Sequence, residues 1–568
     1  MGAIGIDFGT TNSVVAVNTP SGVEVVDIDS APIAWAPYGF DKVFPSVMAK
    51  DEEQRLCFGW EAKGKAKGRF DAVKRLFATQ IDYATDEIGD SLAVEEVATM
   101  LFAELRRRTI SKGFQADQAV ITVPANSKGR ARHRTKLCAG MAGFEVLALV
   151  NEPTAAAMSY AQRHPESRQL LVFDWGGGTL DVTVLQSVDG IFVERASSGL
   201  PRSGGIDFDS RLEKMVRDSR PGLNQMTVEQ RHQLRLEVEL AKIRLSTADV
   251  TSIELPDGSG LRVTRSRFEQ EIEGLLNESR IPIERCLRDL QIGPGAIDAL
   301  VLVGGTCRIP MVRKFVQDIL HAEADPDINP MTAVGEGAAI AAGILSGEIA
   351  NSDFFVCLEH ALGTFIFNAE TEQDQFSSLI RKGNKLPARA NGEYSPVVPT
   401  TESVNVKVVE GDPDASNPDY TILKEWDVKL KTPYTEGSAR TFDLQYEYDV
   451  DGILHVKATD IETGSVILED DVSYGIATDK RQLKTMSDRA KTAVTEGVLD
   501  ASANVHLDDP EATKLITQAR VKVIPFLDVS EAIPVIAAVE RLEAADSSSS
   551  GTAKNILKGM LLPYSYLF

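Results

Sequence analysis

Two stretches of the chain end an apolar run on an aspartate and follow it at once with a glycine- and threonine-rich turn. The first is Ile4-Gly5-Ile6-Asp7-Phe8-Gly9-Thr10-Thr11-Asn12. The second is Leu171-Val172-Phe173-Asp174-Trp175-Gly176-Gly177-Gly178-Thr179-Leu180-Asp181. Glycine lets backbone N–H groups converge on an anion with no Cβ in the way, and threonine hydroxyls add donors. A carboxylate beside each turn can hold Mg²⁺ through water, because that ion takes few carboxylates and keeps much of its hydration shell. Either turn alone also fits an ordinary hairpin. Together, each followed by a second strand (Ser13–Val17, Val182–Leu185) and another turn, they read as an internal duplication whose two loops would grip a nucleotide's phosphates from both sides. Asp7-Phe8-Gly9 also imitates a protein-kinase motif, but nothing upstream could supply a catalytic loop.

A third turn, Leu302-Val303-Gly304-Gly305-Thr306-Cys307-Arg308, closes another apolar strand ahead of a helix beginning near Pro310. It suits the sugar or base of a nucleotide, with Arg308 able to lie flat on a purine, and equally fits a plain strand-to-helix turn. Two helices rich in small residues accompany the turns: Asn151-Glu152-Pro153-Thr154-Ala155-Ala156-Ala157 and the run Gly335 to Gly343. Helices with so little side chain can cross closely, which suits a hinge between lobes as well as tight packing.

The elements that must position these residues follow from periodicity. Residues 3–345 alternate β-branched runs (Ala119–Val123, Leu170–Phe173, Ala299–Val303) with helical stretches (Val94–Lys112, Thr227–Ser246), the pattern of an α/β domain with a mainly parallel sheet. We assign 1–350 to this domain and 351–362 to a linker. From 363 to 475 the helical period vanishes: Val404, Val406 and Val408 alternate, as do Phe442, Leu444 and Tyr446, which predicts an all-β unit. From 476 to 568 helical spacing returns (Leu483, Met486, Ala490, Val494), with Pro510, Pro525 and Pro534 expected to keep the helices short.

The chain of 568 residues carries a net charge of −23, which disfavours nucleic acid and anionic membrane as partners. With 43% hydrophobic and 25% charged residues it is globular, and no apolar run reaches the roughly 18 residues of a membrane span. Met1 runs straight into a strand-like segment, so no secretory signal is expected and the reading is cytoplasmic. The five cysteines lack CxxC pairing and read as reduced core thiols.

The two phosphate turns, Asn151-Glu152-Pro153-Thr154-Ala155-Ala156-Ala157, Val303-Gly304-Gly305-Thr306-Cys307-Arg308-Ile309-Pro310 and Asp451-Gly452-Ile453-Leu454-His455-Val456-Lys457-Ala458-Thr459-Asp460 together resemble the heat-shock protein 70 chaperones, from residue 3 to about 473. The β-domain motif separates this likeness from actin and the sugar kinases, and the shortened form most resembles a compact, HscC-like bacterial branch. The resemblance implies an actin-like two-lobed ATPase, a β-sandwich that binds peptide and a short helical lid-like region. It implies a role in protein folding and stress response, with ATP/ADP and Mg²⁺ as cofactors. Unfolded or extended polypeptides would be the clients, with a dedicated J-domain co-chaperone as a further partner.

By the same resemblance, Asp7 and Asp174 position hydrated metal and attacking water, with Asp181 near that water. Gly9, Thr10, Thr11, Asn12, Gly176, Gly177, Gly178 and Thr179 hold phosphate. Glu152 orders water at the metal, and Lys74 reaches the γ-phosphate. Gly204, Gly205, Gly304, Gly305, Thr306 and Arg308 join the nucleotide set, and Glu239, Lys242 and Ser246 form the adenosine pocket from one helix face. Pro124 and Arg132 match an allosteric switch and relay. Tyr394, Val397 and Val404 match the peptide cleft, although alternation alone would also make Val404 sandwich core.

The departures are specific. The second arginine that sandwiches adenine falls on Ile243, an arginine used for J-domain docking falls on Ala148, and the linker is Leu358-Glu359-His360-Ala361, without the family's proline. The main reading is a chaperone that couples ATP hydrolysis to capture and release of unfolded polypeptide. Two alternatives remain at this level: an ATP-binding regulator or exchange partner with little hydrolysis, and a small-molecule kinase on the same fold.

Overall fold

The computed structural model describes residues 2–79, 81–86, 90–125, 127, 129–188, 191–200, 203–220, 222–223, 226–349, 358, 360–368, 371–382, 384–385, 387–398, 401–411, 413, 420–431, 441–449, 454–472, 480–500, 509–524, 527, 529–545, 549–562 and 564. Two sheets of like design organise the first 345 residues. One runs Glu145–Asn151, Gln118–Val123, Ala3–Phe8, Asn12–Thr19, Gly22–Val25; the other runs Ile191–Leu200, Leu180–Val188, Gln169–Trp175, Ala299–Val303. In each, the strand that ends on the loop aspartate lies antiparallel to the strand after its turn and parallel to a later one. That repeated pairing is the duplication the sequence suggested. Leu171, Val172 and Phe173 are all fully buried, as expected of a central strand covered on both faces.

Helices Glu152–Ala161 and Ala333–Leu345 pack between the two sheets, sharing a core with Val120, Val172 and Val301. Their approach depends on glycine. A Cβ on Gly337 would stand 1.7 Å from the Ala155 carbonyl oxygen, and one on Gly5 would stand 2.1 Å from the Ala339 nitrogen. The long helix of the second lobe, Val228–Leu245, starts on a reciprocal cap. Thr227 accepts from the Gln230 N–H while the Gln230 side chain accepts from the Thr227 N–H.

The all-β unit is two antiparallel sheets. One runs Gln373–Ile380, Ala361–Asn368, Ser403–Gly411, Thr421–Lys429, and the other Ala388–Tyr394, Phe442–Tyr448, Leu454–Asp460, Val466–Val472. Val406, Val408, Leu444, Tyr446 and Val456 fill the space between them, and the buried Tyr446 hydroxyl donates to the Gly363 carbonyl at 2.9 Å. The boundary differs from the expected linker of 351–362. Leu358 is part of the sandwich core and the first strand begins at Ala361, because Leu358, Ala361 and Leu362 bury apolar side chains there. Residues 351–357 and 359 lie outside the described residues.

The helical region divides in two. Helix Lys480–Glu496 lies on the first lobe, where Met486, Ala490, Ala493 and Val494 join the core of Leu101 and Leu105. Arg489 Nη2 meets the buried Glu96 carboxylate at 2.7 Å, and Leu56 N–H donates to the Gly497 carbonyl at 2.8 Å. Helices Pro510–Thr517, Val529–Glu543 and Ser550–Leu561 pack on one another around Leu515, Val539 and Leu557. Pro534 does not stop its helix, which runs on to Glu543. Proline there forfeits one backbone hydrogen bond, and burial of Val535, Ala538 and Val539 outweighs it. Pro525 lies outside the described residues.

Candidate functional site

The two glycine turns face each other across a cavity of about 1010 Å³. Its wall includes Asp7, Gly9, Thr10, Thr11, Asn12, Lys74, Pro124, Glu152, Asp174, Gly176, Gly177, Gly178, Thr179, Asp181, Gly205, Glu239, Lys242, Gly304, Gly305 and Thr306. The turns are in near contact: a Cβ on Gly177 would lie 2.0 Å from Thr11 Oγ1. That hydroxyl and Asn12 Oδ1 are buried with no protein partner, so two polar atoms of the first loop await one.

The carbonyls of the second loop, which would repel a phosphate, are tied by donors. Gly176 O accepts from Gly205 N–H at 2.9 Å and from Thr306 Oγ1 at 3.0 Å. Gly177 O accepts from Ile206 N–H at 3.0 Å, and Gly178 O from Arg75 Nη2 at 3.2 Å. The third turn is therefore wired to the second. Gly304, at φ 83°, permits that approach, since a Cβ there would stand 2.3 Å from the Trp175 carbonyl oxygen.

Lys74 Nζ pairs with Glu152 Oε1 at 2.7 Å, both side chains being nearly buried. Thr122 Oγ1 donates to Asp7 Oδ1 at 3.0 Å. Burial, then the Glu152 charge, pushes the Asp7 carboxyl up to about 7, against the pull of Lys74. Burial, followed by Glu152, Asp181 and Asp7, raises Asp174 well above the usual carboxylate range. Burial works against the Lys74 charge, but Glu152 and Asp7 hold its pKa above the ordinary value. The pocket thus gathers four carboxylates around Lys74.

Behind the carboxylate cluster, Arg132 Nη1 donates to Asn151 Oδ1 at 2.9 Å, one residue before Glu152. Lys242 is held by Asp209 at 2.8 Å and by the Gly205 carbonyl at 3.0 Å, and Glu239 by Lys63 at 2.7 Å. Phe40, Ile243 and Met331 also line the cavity and belong to one apolar group. Arg308 turns its guanidinium to the Tyr38 carbonyl. Ser246 closes its helix and is not part of the cavity wall. Gly204 stands behind the wall, where a Cβ would meet Gly178 N at 2.4 Å.

Sequence reasoning missed Arg75, Lys63, Asp209, Tyr38 and Phe40. Arg75 adjoins Lys74, and the aromatic density of Trp35 to Phe40 in a proline-bearing loop was a usable signal; Lys63 and Asp209 carried none. In the sandwich, Val404 is half-buried at the end of a strand whose Val406 and Val408 are core, Tyr394 is half-buried, and Val397 is exposed. Tyr394 and Val404 pack against the same core.

The family described as Hsp70 protein matches residues 71–503. Among curated relatives, the chaperone protein DnaK of Methanothermobacter thermautotrophicus is 32% identical over 481 residues, which is 81% of this chain and 78% of that protein. The chaperone protein DnaK of Thermotoga neapolitana is 32% identical over 483 residues, and that of Thermosipho africanus 32% over 479, each covering 81% of this chain and 78% of the relative.

Proposed function

As a member of the Hsp70 family the chain is an ATP-dependent chaperone and an ATPase, and we propose that the cavity between its two glycine turns is where ATP is bound and hydrolysed. The observation that carries this reading is the facing of Thr10-Thr11-Asn12 against Gly176-Gly177-Gly178-Thr179 with Lys74, Asp7, Glu152, Asp174 and Asp181 between them. The carboxylate set fits Mg²⁺. All its donors are oxygens, and four carboxylates gather around Lys74, the hard anionic surroundings that a hydrated divalent cation takes. Bound there, the ion would neutralise charge on the β- and γ-phosphates.

The chain's own groups do the positioning. Lys74 brings a fixed cation to the terminal phosphate, held in place by Glu152. Asp7, Asp174 and Asp181 orient water for in-line attack, and the loop N–H and threonine groups keep the phosphates aligned. Asp174→Asn should fold normally and lose turnover by roughly 10²- to 10⁴-fold. Steady-state phosphate release decides it, and undiminished hydrolysis in that variant sinks the assignment.

The chemical product is secondary to the conformational one. Pro124 and Arg132 adjoin both the site and the helix Gly129–Met141, so a change at the phosphates can reach the β-sandwich and alter its hold on extended polypeptide. Tyr394, Val397 and Val404 form the apolar part of that hold, which suits a segment centred on Leu or Ile. Val404→Phe should weaken binding of such a peptide while basal ATPase stays near normal; unchanged fluorescence anisotropy would place the cleft elsewhere. Cytoplasmic location, a dedicated J-domain partner and membership of the compact branch belong to this proposal. Ala148 and the altered linker residues support a dedicated J-domain partner; among the described residues no helix is long and apolar enough to cross a membrane.

A further inference from the structure

Residues 36–42 form two short 3₁₀ turns, Ala36–Tyr38 and Phe40–Lys42, joined at Gly39, whose φ of 78° is left-handed. The segment lies outside the residues that the family model matches, which begin at 71. It is anchored on the first lobe: Trp35 and Phe40 are buried with Val14 and Val25, and their rings meet edge to face at 5.5 Å. Trp60 closes the group at 5.2 Å from Trp35 and 6.0 Å from Phe40, and Lys63 Nζ sits 4.6 Å over the Trp35 ring. From this anchor Phe40 lines the cavity, on the same wall as Ile243 and Met331 of the second lobe. The segment's tip reaches the second lobe as well. The Tyr38 carbonyl accepts from Arg308 Nη1, and a Cβ on Gly39 would stand 3.4 Å from that nitrogen.

We propose that residues 36–42 are a clasp over the nucleoside end of the nucleotide. Phe40 and Ile243 form an apolar slot for a purine base, and the Tyr38–Arg308 hydrogen bond shuts it from lobe to lobe. This rests on the reading of the cavity as the ATP site. Three features converge on it. Arg308 is held by the segment itself, through the Tyr38 carbonyl. The apolar side chain of Ile243 leaves the flat faces of a purine as the chemistry the wall can recognise. The contact joins the two lobes, so the nucleoside leaves only when it opens. Release of ADP is then limited by the clasp.

The test compares wild type with Phe40→Ala and Phe40→Leu, following release of a fluorescent ADP analogue by stopped flow and displacement by ADP or by inorganic pyrophosphate. Phe40→Ala should release the analogue roughly 10- to 50-fold faster and bind ADP more weakly by a similar factor. Phe40→Leu should fall between, and both should keep pyrophosphate affinity within about twofold, since the phosphate loops are untouched. Gly39→Ala, strained at positive φ, should also speed release. Equal losses for ADP and pyrophosphate would mean that Phe40 only holds the lobe together, and would overturn the clasp. So would unchanged ADP release. Failure of the wild-type chain to bind ADP at all would instead overturn the reading of the cavity.

Discussion

Lys74 stands among Asp7, Glu152, Asp174 and Asp181, and burial first, then the Glu152 charge, raises the pKa of Asp7. In the absence of nucleotide and divalent cation, the folded chain holds the Asp7 proton up to about pH 7, while the unfolded chain releases it near 3.8. Between those values the unfolded state binds fewer protons, so raising the pH favours unfolding. The contribution sets in above about pH 4, is complete near pH 7 and amounts to at most about 4 kcal/mol. Asp7→Asn removes it. Urea midpoints at pH 5 and pH 7.5, without nucleotide, should therefore fall more for wild type than for the variant as the pH rises. Parallel profiles would show that Asp7 titrates normally. The aspartates, glycines and threonines were legible in the sequence because the chemistry sits in contiguous residues. Their partners were not. Lys63 meets Glu239 across 176 residues, and Tyr38 meets Arg308 across 270. No local pattern encodes such pairings.

Periodicity reports that a face is buried and not what buries it, so elements were easier to find than their neighbours. The strands Ala299–Val303 and Gln118–Val123, the helix Val94–Ser111 and the capped helix Val228–Leu245 fall where apolar spacing and turn residues put them. Helix Lys480–Glu496 shows the same amphipathic spacing, yet only its contacts with Glu96 and Met141 reveal that the first lobe is its partner. The close approach of the two small-residue helices was legible from their sequence, and its geometry makes a sharp demand at Gly337. An added methyl there meets the Ala155 backbone, which has no flexible end to yield. Gly337→Ala should cost about 1–3 kcal/mol, with the two helices forced apart. Chemical denaturation measures the loss. A variant as stable as wild type would mean that the helices cross with more room than the structure gives them.

At the scale of the whole molecule, a chain of contacts runs from the β-sandwich to the proposed phosphate site. The Glu410 carboxylate, buried on strand Ser403–Gly411, accepts from the Gly129 N–H at 3.1 Å, at the first residue of helix Gly129–Met141. A carboxylate there faces the positive end of the helix dipole, and the helix N-terminus offers N–H groups that lack intrahelical partners. One turn on, Arg132 bonds Asn151; Glu152 follows it in sequence and pairs with Lys74 in the cavity between the glycine turns. Strand Ser403–Gly411 also carries Val404, so one element presents the proposed peptide contact at one end and the lobe contact at the other. If this arrangement transmits the nucleotide state, removing the carboxylate should cut the coupling free energy without altering either site. Glu410→Ala should leave peptide affinity in the presence of ADP close to wild type. It should also shrink the ratio of peptide affinities with ADP and with ATP by roughly 3- to 10-fold, the worth of a charged hydrogen bond at a helix terminus. Because linkage is reciprocal, the effect of peptide on nucleotide affinity should shrink by the same factor, so calorimetry can approach the cycle from either ligand. A ratio unchanged from wild type, measured both ways, would show that the two sites communicate through other contacts.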